Sequence, residues 1–370
     1  MLKENISLSQ LTAIIIGFDL GSSLVIVMGL NAKEDAWIVV LLSSFIGVIL
    51  SLFFFSINEH APGKNLFEIF EFCFNRPIAI FLSILYLIYF LYISCRIVRD
   101  FGELSTTFIL PVTPIEIIIF SLVMVIGYIL YLGLEVLART TEIFTPYSFL
   151  FLLLLVVALL ASGHLSITKA LPMLAKGIYP ITTSLFPYEI NRPWGELVVF
   201  TCIFPYLTKF KESKGFVILS VVISGLLLTL ATFIITVSLG PTMASRASFP
   251  LLSATRLISL ADFIERIDAL ALFIITLGII VKGSIFTFAA LKGLEYIFRI
   301  PYRYFVGPVI CTISMFAVFI SKSYIDHINE AFYVIPFLIH MPLQFIIPSF
   351  LLFLLLLKKL RNTQQAKKMG

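Results

Sequence analysis

Charged residues are scarce in this chain of 370 residues. Asp, Glu, Lys and Arg make up 13% of the sequence, whereas apolar residue types make up 60%. Soluble domains contain about 25% charged and about 45–50% apolar residues. A water-soluble surface cannot be assembled from so few charges, so lipid must solvate most of the exterior. The composition therefore predicts a polytopic membrane protein.

Motifs of enzymes and metal sites are also missing from the sequence. It contains no P-loop, and its four His lie far apart, outside any HExxH-like or glycine-elbow context. The four Cys show no paired spacing, which favours small buried side chains over disulfides or metal ligands. The net charge of +5 is scattered between apolar runs, so it indicates topology and not nucleic-acid binding. We predict a non-enzymatic protein without cofactor or metal.

Long apolar runs dominate what is present. Ten of them reach the roughly 20 residues that a helix needs to cross a bilayer. A barrel is disfavoured because its strands are shorter and alternate in polarity. We predict an all-α membrane domain with about ten transmembrane helices. The runs lie near residues 8–30, 37–57, 77–99, 115–133, 144–163, 180–207, 215–240, 265–293, 304–321 and 333–357.

Basic residues in the loops predict the orientation of the chain. If the N-terminus is inside, fifteen Lys and Arg lie in cytoplasmic segments and ten in external ones. The densest basic cluster is the C-terminal segment, residues 358–370. Because positive loops stay in the cytoplasm, we predict that both termini are cytoplasmic and that 358–370 is a cytoplasmic tail.

Ten spans divide into two sets of five. Because five is an odd number, the second set begins on the opposite face of the membrane and has inverted topology. Transporters with such inverted repeats break the first helix of each repeat around the substrate. Here the repeats are residues 8–163 and 180–357, and helix-weakening segments occur at matching places, Gly17–Ser23 and Thr201–Pro205. Small residues also serve close helix packing. We predict broken first and sixth helices in a five-plus-five fold.

Charges inside apolar runs separate into two groups. Asp19 and Lys282 lie deep within the first and eighth runs, where charge is costly and usually functional. Other charged residues lie near the ends of runs, where snorkelling or structural ion pairs are expected. These are Arg96, Arg99, Asp100, Glu103, Glu135, Arg139, Glu142, Arg266 and Asp268.

Several short motifs, taken in order and spacing, resemble a known family. They are Leu20-Gly21, Asp35-Ala36-Trp37-Ile38, Glu135-Val136-Leu137-Ala138-Arg139 with Glu142-Ile143 and Pro146, Trp194-Gly195-Glu196 with Phe204-Pro205-Tyr206-Leu207, and Phe263–Asp268. Over essentially its whole length the chain resembles the spore germination permeases, the B subunits of nutrient germinant receptors. These belong to the amino acid–polyamine–organocation transporter superfamily. One departure is that Ser23 and Leu24–Met28 stand where relatives often have a second Gly and a Pro.

This resemblance implies a germinant-sensing subunit of the spore inner membrane. Family members act with a membrane-embedded A subunit and a lipoprotein C subunit, and they respond to small nutrients, usually amino acids and sometimes sugars or nucleosides. A stand-alone, proton-coupled amino acid transporter is the alternative, since it would use the same fold. A purely structural scaffold is disfavoured because it has no reason to retain buried charges.

The predicted ligand site lies at the two helix breaks. Free N–H groups at Gly21, Ser22 and Ser23 would hold a carboxylate, and carbonyls from Thr201 to Phe204 would face an ammonium group. The resemblance implies that the side chains of Ile93 and Phe286 also line the ligand site. On this hypothesis, Gly21→Leu abolishes the nutrient response without changing protein levels.

A coupling pair is predicted beside this site. In five-plus-five transporters, spans 1 and 8 are neighbours and often share a sodium ion. The ammonium of Lys282 would replace that ion and pair with Asp19, which predicts a sodium-independent but pH-sensitive response. In the alternative arrangement, Asp19 faces an aqueous vestibule and Lys282 reaches a different partner.

Overall fold

The computed structural model describes residues 4–258 and 267–369, with side chains as far as Arg361. Arg266, one of the predicted ion-pair residues, lies outside this part of the chain. The described residues are almost entirely helical. Their α-helices are α1 (Leu8–Val25), α2 (Ala36–His60), α3 (Leu66–Cys73), α4 (Arg76–Phe108), α5 (Ile115–Leu132), α6 (Leu134–Ala161), α7 (Tyr179–Ser184), α8 (Ser213–Leu239), α9 (Pro241–Arg246), α10 (Pro250–Thr255), α11 (Asp268–Phe298), α12 (Val306–Phe319), α13 (Tyr324–Asn329) and α14 (Ile347–Met369).

Nine helical segments among the described residues are long and apolar enough to cross a membrane. They fall on nine of the ten predicted runs, which confirms the all-α membrane fold class. Several helices extend beyond their predicted runs, because polar residues continue a helix beyond its apolar stretch. The helix α4 continues past residue 99 to Phe108, and α6 starts at Leu134, ten residues before the predicted position.

The sixth run is not one long helix. After α7 the chain forms a π-helical segment, Leu185–Trp194, and then a 3₁₀ segment, Gly195–Cys202. The backbone is extended at Phe186 (φ −116°, ψ 129°) and at Arg192 (φ −131°, ψ 129°). Both residues precede a proline, and a proline excludes the α conformation from the residue before it. The predicted break of the sixth span is therefore present, but it begins earlier than Thr201.

The first helix differs from the prediction. The helix α1 is continuous through Gly17–Ser23 and ends at Val25, followed by a left-handed Gly29 (φ 75°) and a 3₁₀ segment, Leu30–Asp35. The interruption lies after the Gly-Ser segment because this segment packs tightly against α11. A Cβ on Gly21 would lie 2.6 Å from the carbonyl oxygen of Gly278. The small residues of α1 thus serve close helix packing.

The centre of the bundle is formed by α1 and α11, which contact each other closely and are mostly buried. The helix α8 packs against α1 and α2, and α4 packs against α11. Large apolar side chains on the outer helices are exposed, as at Phe81 on α4, Tyr128 on α5 and Leu153 on α6. This is the surface expected of helices that face lipid.

Candidate functional site

The Lys282 side chain lies at the centre of the bundle with none of its surface exposed. Its Nζ lies 2.5 Å from Oε2 of Glu196 and donates a hydrogen bond to Oγ of Ser22 at 2.7 Å. The same ammonium lies 5.0 Å from the centroid of the Phe18 ring, within the range of a cation–π contact. Lys282 thereby joins α11 to α1 and to the 3₁₀ segment that follows the break in the sixth run.

Glu196 reaches this position because of the irregular backbone before it. The extended residue Arg192 ends the π-helical segment, and the chain re-enters the bundle as a short 3₁₀ helix. A Cβ on Gly195 would lie 2.1 Å from Oε1 of Gln344, so a larger residue there would displace the Gln344 side chain. The close approach of this segment to its neighbours places the Glu196 carboxylate in the core, 2% exposed.

Asp19 is a second carboxylate in the same region. It lies one helical turn before Ser22 on α1, so the two side chains share one face of the helix. Its Oδ2 accepts a hydrogen bond from Oγ of Ser224 on α8 at 2.6 Å, and its Oδ1 has no hydrogen-bond partner within the described residues. The whole residue is buried. We call Asp19, Ser22, Glu196 and Lys282 the central cluster.

The predicted direct ion pair between Asp19 and Lys282 is not formed. Lys282 pairs with Glu196, while Asp19 takes its hydrogen bond from Ser224. The reason is that the sixth segment carries a carboxylate into the core, which the length of its apolar run alone does not reveal. This corresponds to the alternative in which Lys282 has a different partner, although Asp19 is buried and faces no vestibule.

Charge in the central cluster is unbalanced. Two carboxylates share one ammonium, so the cluster has a net charge of −1 when all three groups are ionised. The Lys282–Glu196 contact is an ion pair without the alignment of a hydrogen bond. An unpaired buried charge is strongly destabilising, so this arrangement favours the uptake of a proton or of another positive group.

A further polar group adjoins Glu196. Gln344, next to Gly195, donates from Nε2 to the hydroxyl of Tyr89 at 2.8 Å. The His340 ring packs edge-on to Tyr89, and neither of its ring nitrogens has a hydrogen-bond partner within the described residues. Oε1 of Gln344 is likewise unpaired in this part of the chain. Buried polar atoms without partners are rare in proteins and indicate a site for water or a ligand.

The predicted ligand-binding residues are only partly brought together. Ser22 belongs to the central cluster, and Phe286 lies beside it, packed against Phe18 (centroids 5.5 Å apart). Ile93 is buried on α4. Ser23 lines a small cavity of about 20 Å³, which Ser22 and Glu189 also line.

The backbone groups of the predicted ligand site have partners within the protein. Gly21 cannot offer a free N–H group because α1 is helical on both sides of it, and it serves as a packing residue against Gly278. The carbonyls of Thr201 and Phe204 already accept hydrogen bonds, from Nδ2 of Asn58 at 3.1 Å and from the N–H of Leu207 at 3.2 Å. The Gly21 N–H group is therefore not free for a ligand, while each of the two carbonyls keeps one lone pair.

A second set of buried charges joins the end of α4 to the segment around α13. The Arg96 guanidinium lies 3.1 Å from Glu330 and donates to the carbonyl of His327 at 2.5 Å. Nε2 of His327 lies 2.9 Å from Oδ1 of Asp100, and Nδ1 lies 3.2 Å from Oγ of Ser321. We call Arg96, Asp100, Ser321, His327 and Glu330 the outer clamp. Every charged group in it has a partner.

The residues predicted to form ion pairs near the span ends have separate positions. Arg99 and Glu103 form a largely buried pair at 2.6 Å, and Glu135 and Arg139 form an exposed pair at 2.5 Å. Glu142 on α6 and Asp268 at the start of α11 are half-buried. These positions suit a structural role at the ends of helices.

Sequence reasoning missed Glu196, Ser224 and Gln344 as members of the central region. Glu196, like Asp19, is a carboxylate inside an apolar run. Its run also contains Pro187, Pro193 and Pro205, which obscure the helical pattern. Gln344 follows Pro342 in the last run. A search for polar residues beside helix breakers would have found both.

Comparison of the sequence with known families and proteins gives a consistent result. A profile of the family described as spore germination protein matches residues 5–331. The chain is 34% identical to spore germination protein KB of Bacillus subtilis, over 100% of both chains. It is 24% identical to spore germination protein YndE of the same organism, over 80% of this chain and 82% of the relative.

The fold also resembles a solved transporter structure. Mhp1, a nucleobase-cation-symport-1 family transporter, superimposes in its closed, bromovinylhydantoin-bound conformation with a TM-score of 0.68. The match covers 88% of this chain and 74% of that chain at 11% sequence identity. The helices of this chain are thus arranged as in a secondary transporter.

Proposed function

Because this chain belongs to the spore germination protein family, we propose that it is the membrane subunit of a nutrient germinant receptor. It binds a small nutrient, which we take to be an amino acid, in the middle of the bilayer. Binding changes the conformation of the helix bundle and so triggers germination.

The observation that carries this proposal is the central cluster. Charged and polar side chains from α1, α11 and the irregular sixth segment converge in an otherwise apolar bundle with a transporter fold. Inverted-repeat transporters place their substrates at such a junction, beside interrupted helices. Charged residues at this depth are retained for function.

Nutrient binding requires the bundle to move. Lys282, Glu196 and Asp19 are all buried, so a ligand reaches them only if neighbouring helices separate. The interruption after Val25 and the extended residues Phe186 and Arg192 provide backbone positions where such a change is absorbed. A nutrient that binds the opened form more tightly shifts the population toward it.

The partners and the topology follow from the family and from the loop charges. We infer that the chain acts with an A subunit and a C-subunit lipoprotein in the spore inner membrane, with both termini cytoplasmic. The repeats would be residues 8–163 and 180–357. The basic tail, 358–370, would lie on anionic lipid headgroups, each basic residue adding about 1 kcal/mol of attraction.

Cysteine labelling tests this topology. The predicted loop positions Lys33 and Lys214 lie on opposite sides of the membrane, so Lys33→Cys and Lys214→Cys should react with an impermeant reagent from opposite faces. Labelling of both from one side would contradict the ten-span topology.

Deletion of the gene in its spore-forming host tests the receptor role. Spores without this chain should lose germination in response to a subset of nutrients and should regain it with the wild-type gene. Purification of the wild-type chain should recover the A and C subunits with it. Unchanged responses to all nutrients would contradict the proposal.

A stand-alone, proton-coupled amino acid transporter is the second candidate, and the match to a transporter structure favours it. Proteoliposomes containing the purified chain distinguish the two. Accumulation of a labelled amino acid driven by a proton gradient would support the transporter, whereas binding without accumulation would support the receptor.

A further inference from the structure

We propose that Asp19 is the recognition residue for a positively charged nitrogen of the nutrient. The ligands of this chain are then compounds that carry an ammonium group, amino acids or primary amines, and not sugars. This inference rests on the proposed function, because it assumes that the nutrient enters the central cluster.

The first support is the charge of the cluster. Lys282 has one ammonium, and that group already lies 2.5 Å from Glu196. Asp19 therefore has no cation of its own, although it is completely buried. The ammonium group of a ligand placed beside Asp19 gives this carboxylate the cation that it lacks.

The second support is the free oxygen of Asp19. Ser224 occupies Oδ2 at 2.6 Å, while Oδ1 has no hydrogen-bond partner in the described part of the chain. An ammonium group has three N–H donors and no acceptor, so it suits an acceptor that lacks a donor. The unpaired Oε1 of Gln344, beside Gly195, offers a further acceptor in the same polar region.

Other ligand classes fit less well. A sugar brings hydroxyl groups but no ammonium group, so it would leave the Asp19 carboxylate without a cation. Metal ions require several oxygen, nitrogen or sulfur ligands, and no group of three or more His, Cys, Asp or Glu able to hold a metal occurs among the described residues. An organic ammonium needs only one carboxylate and a few neutral acceptors.

In the absence of ligand, a proton supplies the missing charge. The charged groups nearest Asp19 are Lys282 on α11 and Glu196 in the 3₁₀ segment, and Ser224 on α8 gives it a hydroxyl. Binding then exchanges one cation for another. The protonated Asp19 carboxyl releases its proton to solvent, and the resulting carboxylate pairs with the ammonium of the ligand.

A neutral isostere gives the sharpest test. Asp19→Asn keeps the shape and the acceptor for Ser224, but it removes the charge that an ammonium requires. Asp35→Asn is the matched control, because Asp35 is also a buried carboxylate and accepts a backbone N–H, that of Leu174, away from the central cluster. Spores carrying each variant would be tested with L-amino acids, primary amines, L-lactate, D-glucose and potassium chloride.

Wild-type spores should respond through this chain only to compounds with an ammonium group. Asp19→Asn should raise the required nutrient concentration at least tenfold, and Asp35→Asn should leave it unchanged. A wild-type response to glucose, lactate or potassium chloride alone would overturn the inference and leave the receptor role intact. So would a normal nutrient response of Asp19→Asn. If gene deletion changes no response at all, the proposed function itself fails.

Proton release provides a measurement that does not depend on a variant. The purified wild-type chain, in weak buffer, should release up to one proton for each L-amino acid bound, while lactate and glucose should release none. The release should grow and the affinity should fall as the pH is lowered, because the proton competes with the ammonium. Binding of the amino acid without proton release at any pH would overturn the inference.

Discussion

The central cluster and the outer clamp are built from the same residue types and are both mostly buried, yet they differ in how far their polar groups are satisfied. In the outer clamp, Arg96 has Glu330 and a backbone carbonyl, and His327 lies between Asp100 and Ser321. In the central cluster, Asp19 has an oxygen without a partner, and Glu196 has only its ion pair.

This difference supports a structural role for the outer clamp and the binding role that we propose for the central cluster. A fully satisfied polar network fixes two elements relative to each other, and here it joins α4 to the segment around α13. A partly satisfied network is costly, so a protein retains it where a ligand or a proton completes it. Substitutions in the clamp should therefore affect stability alone, and substitutions in the cluster should affect ligand response as well.

Removal of the central cation should have the largest effect. Lys282→Met leaves the carboxylate of Glu196 buried without a counter-charge, which should destabilise the protein by about 3–5 kcal/mol. The double variant Lys282→Met/Glu196→Gln should recover much of this loss, because it removes the pair together. Thermal unfolding in detergent measures both, and a Lys282→Met variant as stable as wild type would contradict the ion pair.

Ser22→Ala should have the next largest effect. It removes the hydroxyl that accepts from Lys282, and a hydrogen bond to a charged group contributes about 1.5–3 kcal/mol. The nutrient concentration for germination should also change, since Ser22 belongs to the proposed ligand site. Normal stability together with a normal nutrient response would show that Ser22 does not contribute to the central cluster.

Asp100→Asn probes the outer clamp. The amide oxygen still accepts from His327, so the loss should be only about 1 kcal/mol of stability. The nutrient preference should not change, in contrast to the expectation for Asp19→Asn. A changed preference would show that the clamp takes part in recognition and would end the distinction between the two regions.

Arg139→Ala should have the smallest effect. Arg139 is mostly exposed, and exposed pairs four residues apart on a helix contribute about 0.3–0.5 kcal/mol. Stability and nutrient response should both stay close to wild type, which makes this variant a control for the three above. A large loss of stability or of nutrient response would show that Glu135 and Arg139 do more than form an exposed ion pair.

The structure also changes what Gly21→Leu would show. A side chain at this position collides with the backbone of Gly278, so α1 and α11 would have to separate. Protein levels should therefore fall along with the nutrient response. An unchanged level of Gly21→Leu in the membrane would contradict the close packing of the two helices.

The sequence predicted the helices well because hydropathy is a local property. The nine long spans and the depth of Asp19 and Lys282 could be read from runs of apolar residues. The position of the interruption after α1 could not be predicted from the sequence. It is linked to the close packing of Gly21 against Gly278, and these two residues lie more than 250 positions apart in the chain. The partner of Lys282 was also hidden, since it depends on how the irregular sixth segment folds back into the bundle.

The most direct test of nutrient sensing in the central cluster is a structure of the assembled receptor with an activating amino acid bound. We expect density for the ligand between α1 and the 3₁₀ segment Gly195–Cys202, with its ammonium within hydrogen-bonding distance of Asp19. A ligand bound elsewhere, in a partner subunit or at the surface of this chain, with the Lys282–Glu196 pair and Asp19 unchanged, would contradict the account.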